Sequence, residues 1–345
     1  MSDFADISGF EELWRPVARS RRVPDRGVLP HAVPSAAEAK ARVARIVSRA
    51  PEVMVKITGR TRDPEHLQAH LKYISRHSAL PLEGRDGEAL ASRRDIEELG
   101  ADWATEDLRQ RRDASLSVSI VLSMPAGTSA VRTRDAARAF AQEVFGERFD
   151  YVLALHTDAG HPHVHLAVRS LGADGKRLNP RKADLDHWRQ RFAQKLRERG
   201  VAAEATLRRT RGITKKPEGI AVRKLRERYQ AGRGPPPRVL ESAFADASRI
   251  VAGHPVEQPW VHHILQRRRS VRAAYGAIVG ALARSSDDRD RALAEDVRTF
   301  LARMPLPATR RAELVKAIRL LSRRGQARAQ KMVRDFDGRG GPRRR

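Results

Sequence analysis

The stretch from Tyr151 to Val168 limits the fold of this chain more than any other, because it places four of the twelve histidines among two apolar runs. Successive residues of a β-strand point to opposite faces of a sheet. On this rule His156 ends a first strand, and His163 and His165 share one face of a second strand after a short polar loop. The spacing predicts a β-hairpin in which these three imidazoles meet on one face.

Three neutral imidazoles on one sheet face form a set of nitrogen ligands that leaves coordination positions open, as a catalytic divalent metal requires. His156, His163 and His165 are therefore the candidate metal ligands. The alternative is a solvated sheet face with ordinary polar residues, but chance rarely places three imidazoles on one face. Imidazole ligands favour Zn, Mn, Co or Ni over Mg.

Two further residues of the loop are candidates for supporting roles. His161 precedes His163 by two positions, but Pro162 interrupts the strand between them. We expect His161 to contact a bound phosphate or to orient a ligand. Asp158 is a candidate acceptor for an imidazole N–H, and an Asx residue that caps the loop is the alternative.

A helix is predicted from Pro64 to about His77, with Asp63 as its N-cap. Its apolar residues recur at helical spacing, and Tyr73 lies at the edge of that stripe among basic and imidazole groups. A phenol has an ordinary pKa near ~10, so a nucleophilic tyrosine needs nearby positive charge or a base. A tyrosine at the boundary of an amphipathic helix is the alternative.

A small-residue turn is predicted from Ser123 to Thr128, between a strand that ends at Ser123 and a helix from about Val131 to Phe145. Backbone N–H groups and the positive dipole end at such a helix N-terminus can bind a phosphate. A plain structural turn is the alternative, because strand, turn and helix often follow one another.

These segments occur in the order of the motifs of a known family. The run from His156 to His165, a histidine, six residues and then His-x-His inside apolar strands, resembles motif III of the conjugative relaxases. These are HUH endonucleases that nick plasmid DNA, and the resemblance is greatest to the MobA/VirD2-like branch. The run from His70 to Arg76 resembles motif I, and the turn from Ser123 to Thr128 resembles motif II. The resemblance extends from Val53 to Gly212.

The resemblance implies that Tyr73 attacks the scissile phosphate to give a 5′-phosphotyrosyl linkage. The three histidines would hold Mg or Mn, the metals generally described for the family. Tyr151 begins a predicted strand and points away from the His156 face, and the other two tyrosines lie in the basic C-terminal region. The residues that we expect to contact DNA are Arg76, Ser123, Gly127 and Thr128, together with Arg208, Arg209 and Arg211 of a basic loop.

Two positions depart from the family pattern. Gly160 stands where an acidic residue is often found just before the second histidine, and Arg169 stands where an asparagine is often found four residues after the last histidine. Neither change removes a candidate ligand. Both change the groups available to orient the imidazoles.

Composition indicates a polyanionic partner. The formal net charge is +26 and the isoelectric point is about 11.4. Residues 213–345 carry 31 Lys and Arg against 13 Asp and Glu, which favours phosphate contacts there. The absence of cysteine excludes disulfides, thiolate metal sites and a cysteine nucleophile. We expect a soluble, cytoplasmic protein without a membrane helix or signal peptide.

The order of predicted elements indicates an α+β fold: a mostly antiparallel sheet with helices on one face, the HUH palm, followed by a basic α-helical C-terminal region. We divide the chain into a basic N-terminal extension (1–50), a relaxase domain (51–212) and the C-terminal region (213–345). The expected partners are origin DNA, mobilisation accessory proteins and a coupling protein.

Two rival functions remain. A rolling-circle replication initiator usually has its His-x-His before its tyrosine, whereas Tyr73 precedes the histidines here. A non-catalytic DNA-binding accessory protein would use a metal only structurally, but structural zinc sites favour four closed ligands that include cysteines. A DNA-nicking relaxase is therefore the preferred prediction.

Overall fold

The computed structural model describes residues 35–105, 114–213, 218–254, 256, 259–305 and 309–337. The predicted features at 1–34, 106–113 and 338–345 lie outside these residues. Ten helices and six strands occur within the described part of the chain. In chain order they are α1 (Ala36–Val47), β1 (Met54–Thr61), α2 (Pro64–Ile74), β2 (Leu82–Gly84), β3 (Ala89–Leu90), α3 (Arg93–Thr105), β4 (Ser117–Ser123), α4 (Ala130–Phe145), β5 (Tyr151–His156), β6 (His163–Arg169), α5 (Lys182–Arg197), α6 (Ile220–Gln230), α7 (Arg238–Val251), α8 (Pro259–Ala283), α9 (Asp288–Arg303) and α10 (Arg310–Asp337).

The six strands form one sheet in the order β1-β4-β6-β5-β2-β3, and every neighbouring pair is antiparallel. β5 and β6 form the predicted hairpin, with His156 opposite His163 and Ala154 opposite His165. The α+β class, the antiparallel sheet and the helical C-terminal region are confirmed.

The helices are not confined to one face of the sheet, and this part of the prediction is wrong. α4 and α5 cover one face, where Phe140 and Phe192 pack on strand residues that include Val118 and Leu166. α2 and α3 pack on part of the opposite face. The physical reason is that the buried stripe of α2 needs an apolar surface, and small strand residues provide it there. The strand residues on that side are Val152, Ala154 and Ala167.

Two short strands were not predicted. β2 pairs with β5 through Glu83 opposite Leu153 and Gly84 opposite Val152, and β3 extends the sheet by one more strand. Glycine and charged residues interrupt this segment, so it carries no alternating apolar signal. The two strands nevertheless lengthen the sheet beyond β5.

The helix α1 packs against the sheet domain. Ala39, Val43 and Ile46 are at most 1% exposed. The Nε of Arg45 donates to Glu204 Oε2 at 2.7 Å, and Glu204 is itself only 3% exposed. Residues 36–47 are therefore fixed to the rest of the fold, while the boundary predicted at residue 50 stays a prediction.

The chain divides into two compact units. The first contains the sheet and the chain up to Leu207, with Ile278–Arg298; the second contains Arg208–Ala277 and the chain from Thr299 onward. Within the second unit Tyr275 is fully buried, and its hydroxyl donates to the carbonyl of Thr210 at 3.0 Å. Among the described helices, none has the length and apolar character needed to cross a membrane.

Candidate active site on the open face of the sheet

Three imidazoles meet at the ends of β5 and β6. The hairpin register places His156 directly opposite His163, and His165 lies one row further along the same face. The ring centroid of His156 is 5.3 Å from that of His163 and 4.4 Å from that of His165. One nitrogen from each ring lies within 4.8 Å of the other two. The sheet therefore brings the predicted ligand set together.

Hydrogen bonds fix which nitrogen carries the proton in two of the rings, His156 and His163. Nε2 of His156 lies 2.7 Å from the carbonyl oxygen of Ile74, and a carbonyl only accepts, so Nε2 donates. Nδ1 of His156 then presents a lone pair. Nδ1 of His163 donates in the same way to the carbonyl of His161 at 3.2 Å, which leaves Nε2 of His163 as its ligand atom.

Burial favours the neutral form of two of the imidazoles, His156 and His165. Burial, together with the neighbouring His156 and His163, lowers the pKa of His165 to about 4. Burial also lowers the pKa of His156, which is only 2% exposed. Neutral rings with free lone pairs are the form that binds a metal. The fixed tautomers and the open side of the cluster fit a divalent cation held by three nitrogens.

Tyr73 lies beside this cluster. It is carried by α2, whose N-cap Asp63 accepts a hydrogen bond from the His66 N–H at 2.8 Å. The Tyr73 ring meets the His165 ring edge to face, with 5.7 Å between their centroids, and the side chain is 52% exposed. The phenol is therefore close to the imidazoles and open to a ligand in solvent.

Two of the other three tyrosines have buried, hydrogen-bonded hydroxyls. Tyr151 donates to Gln142 Oε1 at 3.0 Å, and burial raises its pKa to about 12. Tyr275 donates to a backbone carbonyl of the second unit. Neither phenol has the exposure of a nucleophile. Among the tyrosines of the first unit, Tyr73 is the exposed one.

Arg76 connects the tyrosine helix to the histidine loop. α2 ends at Ile74, earlier than predicted, and Arg76 follows with a left-handed φ of 53°. Its guanidinium carbon lies 5.5 Å from the centroid of the Tyr73 ring, and its Nη2 donates to Nδ1 of His156 at 3.2 Å. The same nitrogen donates to the carboxylate of Asp158. Arg76 thus places a positive charge between the phenol and the imidazoles.

The remaining loop residues have distinct surroundings. Asp158 pairs with Arg76 and makes no direct contact with an imidazole among the described residues. His161 lies 5.4 Å from His163 between ring centroids, outside the three-nitrogen cluster, and its Nδ1 donates to the carbonyl of Ala159. Gly160 has a φ of 70°, a conformation that an acidic residue adopts poorly.

Arg169 lies on the same sheet face as the histidines but away from them. It is four residues beyond His165, or ~13 Å along an extended strand. The side chain is buried, and its Nη1 donates to Asp150 at 3.4 Å. The replacement of the family asparagine by Arg169 therefore changes an ion pair at the far end of the strand and not the ligand cluster.

The turn before α4 lies next to the histidine loop. Ser123 pairs opposite His163, is 4% exposed, and donates to the carbonyl of Pro162 at 3.4 Å, so its hydroxyl faces the protein. Gly127 has a φ of 84° and is exposed. Thr128 is half-buried, and α4 begins immediately after its N-cap Ser129. The exposed part of the turn consists of Pro125, Ala126 and Gly127.

One nearby imidazole was not among the predicted site residues. His70 lies one helical turn before Tyr73, and its Nδ1 is 3.4 Å from the hydroxyl of Ser119. Burial lowers the pKa of His70, and its charge would lower the pKa of His165. The spacing of three between His70 and Tyr73 is the sequence signal that both face the sheet. Arg208, Arg209 and Arg211 belong to the second unit, and their DNA contacts stay predictions.

Comparison with known proteins agrees with this geometry. Residues 82–201 match the family model of the relaxases described as MobA/VirD2-like, nuclease domain. The matched range contains the three histidines and begins after Tyr73. Residues 82–201 of this chain are therefore similar to a MobA/VirD2-like nuclease domain.

Particular relatives are the T-DNA border endonucleases VirD2. That of Rhizobium radiobacter is 31% identical over 201 residues, 52% of this chain and 47% of the relative. That of Agrobacterium fabrum strain C58 is 31% identical over 201 residues, 52% of this chain and 45% of the relative. The chain spans about half the length of these curated relatives.

A solved structure described as "Molecular Basis of Vancomycin Resistance Transfer in Staphylococcus aureus" also aligns. It is 15% identical with a TM-score of 0.32, and the alignment covers 45% of this chain and 98% of that chain. This likeness is too weak to bear on the fold or the site.

Proposed function

We propose that this protein is a metal-dependent DNA relaxase that nicks one strand of a transfer origin through a covalent tyrosine intermediate. The observation that carries the proposal is the meeting of an exposed phenol with three imidazoles on one sheet face. The names of the relatives support DNA border cleavage as the general activity. The metal and the tyrosine mechanism rest on the geometry.

The proposed reaction is a transesterification. The Tyr73 oxygen attacks the phosphorus of one phosphodiester and loses its proton to solvent. The bond from phosphorus to the 3′ oxygen breaks, and that oxygen takes up a proton to become a free 3′-hydroxyl. The protein is left joined to the 5′ phosphate. The number of phosphoester bonds is unchanged, so the strand can later be rejoined.

His156, His163 and His165 would hold the divalent cation, with Nδ1 as the ligand atom of His156 and Nε2 that of His163. A bound cation of this kind neutralises phosphate charge and aligns the phosphorus for attack. The chain's own contribution is to orient the rings through backbone carbonyls and to hold the phenol next to them. Arg76 places a positive charge beside the Tyr73 ring.

The preferred test is the formation of a covalent adduct. The full chain is incubated with a pool of single-stranded oligonucleotides of random sequence and Mn²⁺ or Mg²⁺, and products are separated on a denaturing gel. We expect a labelled protein–DNA band that depends on the metal and disappears in Tyr73→Phe. Tyr229→Phe is the matched control, because Tyr229 is 49% exposed and belongs to the second unit.

The outcome separates a nicking enzyme from a non-catalytic DNA-binding protein. An adduct that persists in Tyr73→Phe would remove Tyr73 as nucleophile. DNA binding without an adduct from any oligonucleotide would favour the non-catalytic accessory protein. Accessory proteins and a coupling protein remain proposed partners, because they belong to the implied role in DNA transfer.

A further inference from the structure

A second concave site lies at the edge of β5, next to the strand end that carries His156. It is an open cleft of about 450 Å³. This volume falls within the range of small-ligand pockets, roughly 300–1,000 Å³. The walls are mainly apolar and come from the segment before β2, from β3 and from β5. They include Leu80, Pro81, Leu82, Ala89, Leu153 and Leu155.

The edge of β5 is open at this cleft because of a proline. Arg169 N–H donates to the carbonyl of Asp150, so even-numbered residues of β5 direct their backbone groups toward β6. Odd-numbered residues direct theirs toward β2. The ladder between β2 and β5 includes Leu153 opposite Glu83 and stops there. The next residue to pair would be Pro81, opposite Leu155, and proline has no N–H to donate.

Leu155 presents a backbone donor and a backbone acceptor to the cleft, and the missing N–H of Pro81 accounts for the unpaired acceptor. Among the described residues, neither its N–H nor its C=O has a hydrogen-bond partner in protein. The two groups lie side by side on one strand edge, as the unpaired N–H and C=O groups of an edge strand do. An uncharged flat ligand with an adjacent donor and acceptor would satisfy both groups.

The cleft carries little net charge. Arg134 Nη2 pairs with Asp135 at 3.2 Å, and Arg138 pairs with Glu83 through two contacts, the longer of which is 2.7 Å. Each guanidinium at the rim is thus balanced by a carboxylate. A phosphate would find no uncompensated cation there, whereas an apolar ring can lie against the planar faces of the arginines.

We propose that this cleft holds one unstacked nucleobase of single-stranded DNA, an inference that rests on the proposed function. A nucleobase has an apolar face for the leucine walls and an edge with adjacent donors and acceptors for Leu155. A peptide added as a strand is a poorer occupant, because it needs several free positions in a row and Leu153, the position before Leu155 on this edge, is already paired with Glu83.

The position of the cleft assigns the base to a nucleotide near the scissile phosphate. Leu155 immediately precedes His156, and their side chains point to opposite faces of the sheet. DNA held at both places must turn around the end of β5. A turn of this kind unstacks neighbouring bases and makes one of them available to the cleft.

The test fills the cleft without touching the imidazoles. Ala89→Trp places an indole at the exposed rim, and Ala91→Trp is the matched control, because Ala91 is also exposed and does not line the cleft. Pro81→Val is a second variant that adds no comparable bulk. Valine supplies the missing N–H, so residue 81 can pair with Leu155. The N–H and C=O of Leu155 would then be hydrogen-bonded within the sheet and could not bind a base.

Binding is measured in the Tyr73→Phe background with an oligonucleotide recovered from the adduct pool. A set of copies of this oligonucleotide carries a single abasic site at each position in turn. We expect one abasic position near the nick to weaken binding about tenfold, within the range of one stacked base. Ala89→Trp and Pro81→Val should weaken binding of intact DNA similarly and should abolish the penalty of that abasic site.

The outcomes are separable. If Ala89→Trp retains the abasic profile of the Ala91→Trp control, or if no abasic position near the nick matters, the cleft does not hold a base. If the unaltered chain forms no adduct with the pool, the proposed function itself fails and this inference falls with it. Thermal unfolding of each variant shows whether a loss of binding reflects a loss of fold.

Discussion

The carbonyl oxygen of Ile74 accepts a hydrogen bond from Nε2 of His156 at 2.7 Å, one residue after Tyr73 on the same helix. This bond sets the tautomer of a candidate metal ligand and fixes the distance between α2 and β5. The nucleophile and the ligand cluster are therefore positioned by a shared contact. A displacement of α2 would disturb both at once.

Tyr73→Phe should separate chemistry from binding. The phenylalanine keeps the ring that lies against His165 but removes the attacking oxygen. We expect adduct formation to fall by at least about 10³-fold, as when other nucleophiles are removed. The affinity for single-stranded DNA, measured by fluorescence anisotropy, should change by less than about threefold. A comparable loss of DNA affinity would mean that the hydroxyl serves binding instead.

Metal affinity should depend on His163 and not on its neighbour His161. His163→Gln removes a ligand of the three-nitrogen cluster, whereas His161→Gln removes a ring outside it. We expect the first change to weaken Mn²⁺ binding by at least about 10–100-fold, because even supporting residues of metal sites have effects of that size. Isothermal titration calorimetry measures both. Equal losses would place His161 among the ligands.

Arg76 and Asp158 should affect metal affinity in opposite directions. The Arg76 guanidinium donates to Nδ1 of His156, the nitrogen that would bind the cation, and adds a like charge nearby. Arg76→Gln should therefore tighten Mn²⁺ binding by roughly fivefold, equivalent to about 1 kcal/mol for a screened unit charge at ~4 Å. Asp158→Asn removes a negative charge and should weaken it.

One result for Arg76→Gln would contradict this prediction. If Arg76→Gln weakens metal binding while the circular dichroism spectrum and the melting temperature are unchanged, Arg76 supports the ligand set instead of competing with the cation. Mn²⁺ binding by the Arg76 and Asp158 variants is measured in the Tyr73→Phe background without DNA, so that adduct formation does not affect the result.

The stability of the metal-free protein should decrease in mild acid. The pKa of His165 is about 4 in the folded state against an ordinary value of 6.5, so between these values the unfolded chain binds a proton that the folded chain does not. The free energy of unfolding therefore falls as the pH decreases from 6.5 to about 4, and this contribution is constant below that range. His156 and His70 act in the same direction.

Urea unfolding in EDTA at several pH values measures this effect. We expect the His165 contribution to be on the order of 1–2 kcal/mol, after allowance for its partial exposure. His165→Gln should flatten the decrease between pH 6.5 and 4.5. An unchanged slope in His165→Gln would assign the acid sensitivity to other groups.

The sequence was sufficient to predict the hairpin and its histidines. Period-two alternation from Tyr151 to Val168 is strong on both strands, and the polar loop leaves one register in which the apolar face stays buried. The strand that ends at Ser123 and the helix α4 were likewise predictable, since the turn between them has small residues and a serine cap. These elements form the centre of the sheet.

Other features have no comparable signal in the sequence. β2 and β3 are short, and their pairing depends on a neighbour far along the chain. The early end of α2 depends on non-glycine residues in left-handed conformations, which residue type does not predict. The helices α2 and α3 pack on the opposite sheet face from α4 and α5. The apolar residues of α2 show that one side of this helix is buried, but they do not show which face of the sheet it covers. Arg76 was predicted to contact DNA, and its intramolecular contacts follow from that backbone turn.

Arg76, His77 and Ser78 have φ values of 53°, 56° and 70°, three consecutive residues in a region that costs an L-amino acid about 1–2 kcal/mol each. Such a corner survives only where the surrounding contacts enforce it. Tyr73 therefore lies on a helix that cannot extend by another turn without breaking the ion pair between Arg76 and Asp158. A variant in which this corner became helical would extend α2 past Ile74 and would remove Arg76 from its position beside His156 and Asp158.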